Sequence, residues 1–327
     1  MKATICIPTV SRLEFFREAL GSAASQSFQD YEVLVSVNSE DPDYFGRVAA
    51  LVEEAKREHP ARAIRMVQPP RFLHIAEHTN FMVEHSSGTY WCYLGDDDRM
   101  EPGFLRTLLH LLQAEEEAGF AFCTFLNIDR DGKVRRDLSA LNTHAFHIDH
   151  LEEGFIAHSA LPRLALWNAL MFPCALFRRA VLEDFPFAPG NEAPDRDFWL
   201  RIADSSAEFG AVYTPSPLLN YRLHDQQYSS ASRAAQSDFI ETLAACRNVA
   251  AAEPGLHKRI LAQTYARLGK ALLDEGDRAG ARRALLAALS KNPVDLRTYR
   301  FAMQAALPGP LLESLRRIRR RSLGDSS

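Results

Sequence analysis

The sequence predicts an α/β protein: a mostly parallel sheet with flanking helices, followed by an all-helical C-terminal region. Three observations carry this expectation. Short apolar runs alternate with amphipathic helical stretches from residue 3 to about 118. One of those runs opens directly into three consecutive acids, Asp96-Asp97-Asp98. Beyond about Ala231 the composition shifts to Ala, Leu and Arg, residues that favour helix.

Composition sets the outer bounds. The 327 residues are 46% hydrophobic and 24% charged, which suits a soluble globular protein with a substantial core. The formal net charge of −4 supplies no global basic field, so no nucleic-acid partner is expected. Five scattered cysteines (Cys6, Cys92, Cys123, Cys174, Cys246) contain no C-x-x-C pair. Free thiols in a reducing compartment are expected, rather than a disulfide framework or a structural zinc site. Met1-Lys2 runs straight into Ala3–Pro8, too short for a signal-peptide core, and Pro162, Arg163 and Pro173 break the most apolar long stretch. A cytoplasmic location is the expectation.

Each element follows in order. Residues 3–8 read as a buried strand closed by Pro8, and Leu13–Ser25 carries apolar residues at helical spacing. Glu32–Val37 is a second strand, followed by a turn at Asn38–Pro42, a helix at about Tyr44–Glu58 and a third strand at Ala63–Val67. A helix at Ala76–His85 leads through Ser86-Ser87-Gly88 to the strand Thr89–Leu94, and Pro102 introduces a helix at Gly103–Ala118. In such sheets ligands gather beyond the carboxyl ends of the strands. The middle, 119–228, mixes strands and loops, and a domain boundary is placed near residue 230, dividing 1–230 from 231–327. Within the second part Tyr265, Leu268, Gly269, Gly276, Ala281, Ala288 and Pro293 resemble one tetratricopeptide helix pair, at about 262–293. A single unit is read as a helical hairpin packed on the first domain.

Three groups of residues carry chemistry. Adjacent carboxylates repel unless a cation sits among them, so Asp96-Asp97-Asp98 is a platform for a hard divalent ion and the phosphates that accompany it. The bland alternative is a solvated, helix-capping turn. Asp195 and Asp197 precede a helix, where they cap it or where one serves as a general base. Arg201 stands four residues after Asp197 and is positioned to pair with it, which leaves Asp195 the freer base. Finally, Tyr221-Arg222-Leu223-His224 offers an imidazole for a metal such as Mn²⁺ and a guanidinium for a phosphate, or else simple packing. Four histidines at 144, 147, 150 and 158 fit no common zinc spacing and are read as surface or loop residues.

In this order the motifs resemble family-two glycosyltransferases of GT-A fold. The matching segments are Ile7-Pro8-Thr9-Val10-Ser11-Arg12, Gln26–Glu32, Ser87-Gly88-Thr89-Tyr90 through Asp97 to Pro102, Asp195–Arg201 and Tyr221–His224. The resemblance implies an inverting transfer of sugar from a nucleotide-diphosphate sugar to a saccharide or lipid-linked acceptor, in cell-envelope or exopolysaccharide synthesis. It implies Mn²⁺ or Mg²⁺ held by Asp97, with Asp96 and His224, and donor contacts from Pro8, Thr9, Arg12, Asn38, Asp96 and Arg222. Asp195 becomes the base, with Asp197 as second choice. The chain departs from the family pattern at Gly95, where the first Asp of the metal motif stands in relatives. It departs again at Val37-Asn38-Ser39, which lacks an Asp for the nucleobase, and at Pro194, which replaces a Glu. A nucleotidyltransferase and a non-catalytic nucleotide-sugar-binding module are the rival readings. The first lacks its glycine-rich phosphate loop here.

The C-terminus adds one further expectation. Leu311, Leu315 and Ile318 share a helical stripe within residues 311–321, flanked by five arginines. This segment reads either as a solvated end or as an interfacial helix on the anionic inner face of the cytoplasmic membrane.

Overall fold

Seven residues, Ala3–Thr9, form strand β1, and its near-total burial follows from having a strand on each side and helices on both faces. It pairs in parallel with β2 (Tyr31–Val37) and β4 (Tyr90–Tyr93), and β2 pairs in parallel with β3 (Ala63–Val67). The crossovers are α1 (Leu13–Ala24), α2 (Pro42–Glu58) and α3 (Ile75–His85). Helix α1 buries Phe15, Phe16, Ala19, Leu20 and Ala23 as one stripe. Helix α2 starts two residues before the expected Tyr44, because Asp41 caps it (accepting from Asp43 N at 2.9 Å) and Pro42 fits the first turn. Residues 2–224 and 232–306 are described by this computed structural model. They belong to two compact units, Met1–Tyr228 and Ser229–Ser327.

The first unit continues with β5 (Arg99–Met100), α4 (Phe104–Ala114), β6 (Ala118–Ile128), α5 (Arg136–Ala145), β7 (Gly154–Ile156), α6 (Leu161–Trp167), β8 (Ala175–Arg178), α7 (Arg179–Asp184), α8 (Pro194–Asp204) and β9 (Gly210–Arg222). The strand order is β3-β2-β1-β4-β8-β6-β9-β5, with β7 added against β9. The half built from β1 to β4 is all parallel, as expected. Strand β8 then inserts antiparallel between β4 and β6, while β6 and β9 run parallel. The order reverses at β1, so the crevice beyond the ends of β1 and β4 is the place where loops can receive a ligand. The helix expected over 103–118 stops at Ala114. Glu115, Glu116 and Glu117 would oppose the helix dipole at its C-terminus. The chain then re-enters the sheet at Gly119, where a Cβ would strike the ring of Phe209. Helix α8 is fixed on the sheet by aromatic packing: Phe198 stacks on Phe187 at 4.8 Å and Trp199 on Phe177 at 5.5 Å.

The second unit is helical: α9 (Arg233–Ala245), α10 (Arg247–Ala252), α11 (Pro254–Asp274), α12 (Arg278–Lys291) and α13 (Leu296–Ala306). Helices α11 and α12 meet through small residues. A Cβ on Gly269 would lie 2.5 Å from Leu285 Cγ, and Ala281, Ala284 and Ala288 are buried alongside. Gly276 turns the chain at φ +86°, and Asp277 caps α12 by accepting from Gly280 N at 2.8 Å. The arginine-rich segment 311–321 lies outside the described residues.

One charge is buried in the sheet. Glu32 on β2 is 1% exposed and accepts from Thr4 Oγ1 at 2.8 Å, Ser87 N at 2.7 Å, Ser87 Oγ at 2.7 Å and Arg65 Nε at 2.8 Å. Burial alone would raise its pKa, but Arg65, then Ser87 and Thr4, bring it down to about 2. Because the folded value lies below the ordinary 4.5, the stabilisation is complete above that pH and is lost as the pH falls toward 2. Glu32→Gln should therefore lower unfolding free energy at pH 7 by about 2 kcal/mol. In urea titrations the deficit should shrink by pH 2.5. An equal deficit at both pH values would show that the ionised carboxylate is not the stabilising form.

Candidate active site

The aspartate cluster sits at the crevice that the strand order predicts. Strand β4 ends at Tyr93, Leu94 N still bonds to Cys6 O at 2.9 Å, and the chain then turns so that Asp98 N donates to Gly95 O at 3.1 Å. A Cβ on Gly95 would lie 2.8 Å from Asp97 Oδ1 and 3.0 Å from Asp98 Oδ2, so glycine leaves room for the carboxylates that follow it. Asp96 is buried; it accepts from Thr9 Oγ1 at 3.0 Å and pairs with Arg12 at 2.5 Å. The second terminal nitrogen of Arg12 bonds to Asp97 Oδ2. His224 Nε2 lies 3.0 Å from that same oxygen and 3.4 Å from the Arg12 guanidinium. Thr9, Arg12, Asp96, Asp97 and His224 thus converge from the ends of β1, β4 and β9.

Burial raises the pKa of Asp96 to about 6, although Arg12 and Thr9 pull the other way. Burial, then the charge of Asp97, holds Asp98 well above the ordinary carboxylate range, against a 2.9 Å bond from Arg222 N. The cluster is short of positive charge. That fits a divalent cation: Asp97 Oδ2 and His224 Nε2 converge on one point, and Mg²⁺ or Mn²⁺ needs only one or two protein ligands when substrate phosphates supply the rest. Arg12 bridges Asp96 and Asp97 on the same side.

Other expected residues are placed differently. Arg222 is 0% exposed, and its guanidinium donates to Asp97 O at 2.7 Å, Arg130 O at 2.7 Å and Glu18 Oε2 at 2.6 Å. It lies over the Phe15 ring at 4.8 Å. Its hydrogen bonds therefore brace the aspartate loop from behind. Asn38 is buried with its side-chain amide engaged on both sides, giving to Leu73 O at 2.7 Å and accepting from Leu73 N at 2.9 Å. It fixes the 68–74 loop to the end of β2. Pro8 is half-buried within β1, one residue before Thr9.

The second acidic group lies at the start of α8. Asp197 is buried and bonded by Arg201 Nε at 2.7 Å. Asp195 is exposed, yet the protein crowded around it raises its pKa by desolvation, with the Arg196 N–H opposing. Tyr221 has its pKa raised by burial first, then by Asp98, Asp97 and Asp195, so its phenol is within electrostatic reach of both acidic groups.

A family description, Glycosyl transferase family 2, matches residues 4–185. The chain belongs to glycosyltransferase family 2. A Campylobacter jejuni relative named GalNAc(5)-diNAcBac-PP-undecaprenol beta-1,3-glucosyltransferase is 26% identical over 138 residues, 42% of each protein. The chain thus spans under half the length of that relative. Among solved structures, S. aureus TarS 1-349 in complex with UDP-GlcNAc superposes at a TM-score of 0.59 and 16% identity, over 93% of this chain and 89% of that one. Mannosyltransferase PcManGT from Pyrobaculum calidifontis, in complex with GDP-Man and Mn²⁺, gives 0.57 and 17%, over 93% and 84%. At these identities the likeness carries the fold, which is GT-A.

Several residues of the glycosyltransferase site had no signal in the sequence. Tyr44, whose hydroxyl bonds to Thr9 Oγ1, looked like an ordinary helix start. Phe15 and Glu18, which hold Arg222, lie at i and i+3 on α1, and only the packing of α1 against β5, the strand paired with β9, brings them to it. The histidine stretch is at the surface, but it is grouped: His144 Nδ1 lies 2.8 Å and His150 Nε2 3.8 Å from Asp149, and His147 packs on Trp167 at 4.6 Å. His158 bonds to Phe209 O at 3.1 Å.

Gly95 offers a direct test of this geometry. Gly95→Ala should displace the Asp97 carboxylate and weaken calorimetric binding of Mn²⁺–UDP or Mn²⁺–GDP, whichever the wild type takes, by about tenfold, or ~1.4 kcal/mol. Unchanged affinity would show that the carboxylates yield at no cost.

Proposed function

We propose that this glycosyltransferase moves a sugar from a nucleoside-diphosphate sugar to a hydroxyl of a saccharide or lipid-linked acceptor, with inversion, in cell-envelope or exopolysaccharide synthesis. The observation that carries the reading is the meeting of Asp96, Asp97, Thr9, Arg12 and His224 at the sheet's switch point. UDP-GlcNAc and GDP-Man in the complexes of the two structural neighbours support a nucleotide-sugar donor, and the lipid-linked substrate in the name of the Campylobacter relative supports the acceptor class.

Asp195 takes the proton from the acceptor hydroxyl. The freed oxygen attacks the anomeric carbon from the face opposite the nucleotide, and the bond from that carbon to the diphosphate oxygen breaks. A raised pKa makes Asp195 the better proton acceptor. Asp197 is already engaged by Arg201 and ranks second. Arg12 and the Thr9 hydroxyl orient Asp96 toward the donor. A bound Mn²⁺ or Mg²⁺, held by Asp97 and His224, supplies charge neutralisation for the diphosphate leaving group. None of the helices among the described residues is long and apolar enough to cross a membrane. A peripheral hold on anionic lipid through residues 311–321 remains part of this proposal, resting on their sequence.

Sugar transfer from a panel of labelled nucleotide sugars, with and without Mn²⁺ or Mg²⁺, tests the reading. Asp97→Ala should cost roughly 10²–10³ in rate. Asp195→Asn should lose roughly 10²–10⁴ in kcat while still binding the nucleotide. An inactive Asp197→Asn beside an active Asp195→Asn would move the base by two positions. Binding without transfer for every donor would instead favour the non-catalytic module.

A further inference from the structure

Helix α11, the α12–α13 connection and the first turns of α13 border an open-sided cavity of about 450 Å³ within the second unit. Its wall on α11 is a single helical face, Gln263, Arg267 and Lys270, and the opposite wall carries Asn292 and Arg297. This size falls within the range of small-molecule sites, roughly 300–1,000 Å³. The lining mixes polar and apolar surface, Phe301 and Ala266 among it, and its charged groups are mostly cationic. Its one carboxylate, Asp295, is already engaged as the cap of α13, accepting from Thr298 Oγ1 at 2.6 Å and Arg297 N at 3.0 Å. Lys270 is offset by Asp274 at 2.5 Å, but among the described residues neither Arg267 nor Arg297 forms an ion pair. Desolvation, then the neighbouring Arg297, pulls the Arg267 pKa below its ordinary value, while Asp295 lies within electrostatic reach of Arg297. The N-terminus of α13 adds the positive end of its dipole. Across residues 254–306 there are ten Lys and Arg against four Asp and Glu, in a chain whose net charge is −4.

Arg267 and Arg297 both face this space, where their charge exceeds that of the single carboxylate Asp295, and their forked donors match the paired oxygens of phosphate groups. We propose that this cavity binds the phosphate or diphosphate group of a ligand, its charged oxygens lying between Arg267, Lys270 and Arg297. The site is distinct from the aspartate cluster and does not depend on sugar transfer. The phosphate has two possible sources, a soluble phosphorylated compound and the headgroup of an anionic lipid, and one experiment separates them.

The test uses the full chain in EDTA, so that no metal–diphosphate forms at the aspartate cluster. Calorimetry with inorganic pyrophosphate and flotation with phosphatidylglycerol vesicles are compared for wild type, for Arg267→Gln/Arg297→Gln, and for Lys258→Gln/Arg283→Gln, which removes equal charge outside the cavity. Gln263→Glu, which sets a carboxylate in the wall and leaves both arginines in place, guards against a folding defect in the double variant. The expected result is pyrophosphate binding that weakens at least tenfold in the cavity double variant and in Gln263→Glu, and by less than twofold in the control. The same pattern seen in vesicle flotation alone supports the site with a lipid headgroup as its source. Binding in neither assay, or equal loss in the cavity variants and the control, would overturn the proposal.

Discussion

Three carboxylates held at the end of one strand repel each other, and much of the first unit serves to keep them there. Arg12 bridges Asp96 and Asp97, Thr9 donates to Asp96, and the Arg222 backbone donates to Asp98. Removing any one of these contacts would leave a buried acid with less to stabilise its charged form. The restraint is still incomplete, since Asp96 and Asp98 keep raised pKa values. Burial is the first reason, and the mutual repulsion of the carboxylates adds to it.

Arg222 shows how the far half of the sheet contributes. The parallel register of β6 and β9 sets Ile128 beside Arg222, and the guanidinium then reaches the carbonyl of Arg130, the carbonyl of Asp97 and the carboxylate of Glu18. A side chain bonded to three segments ties the loop after β6, the aspartate loop and α1 into one body. His224, two residues on, packs on the same Phe15 ring at 4.9 Å and points its Nε2 at Asp97. Phe15 thus contacts both the arginine that braces the loop and the histidine that faces Asp97.

The legible parts of this protein were those encoded locally. Strands at 3–8, 32–37 and 63–67 and their intervening helices follow from apolar runs and periodicity, and so does the placing of the aspartates beyond a strand end. The pairing of Asp197 with Arg201 follows from helical spacing alone. What the residues could not disclose was the insertion of β8 antiparallel between β4 and β6, because a four-residue apolar strand looks the same in either direction. The same reason explains Arg222 and Asn38. Their residue types suggest phosphate and base contacts, and only tertiary neighbours show their polar atoms bonded to Glu18 and Leu73.

Net charge is the other place where a whole-chain quantity conceals local chemistry. The chain carries 38 Lys and Arg against 42 Asp and Glu, but residues 254–327 carry fifteen against six, so the rest carries 23 against 36. A value near neutrality therefore averages an acidic unit, in which carboxylates gather at a strand end, with a basic one, in which Arg267 and Arg297 share a cavity. Long-range fields average over the molecule, but binding is decided within about one Debye length, ~8–10 Å. The sum over all residues describes the average surface and not the local charge of that cavity.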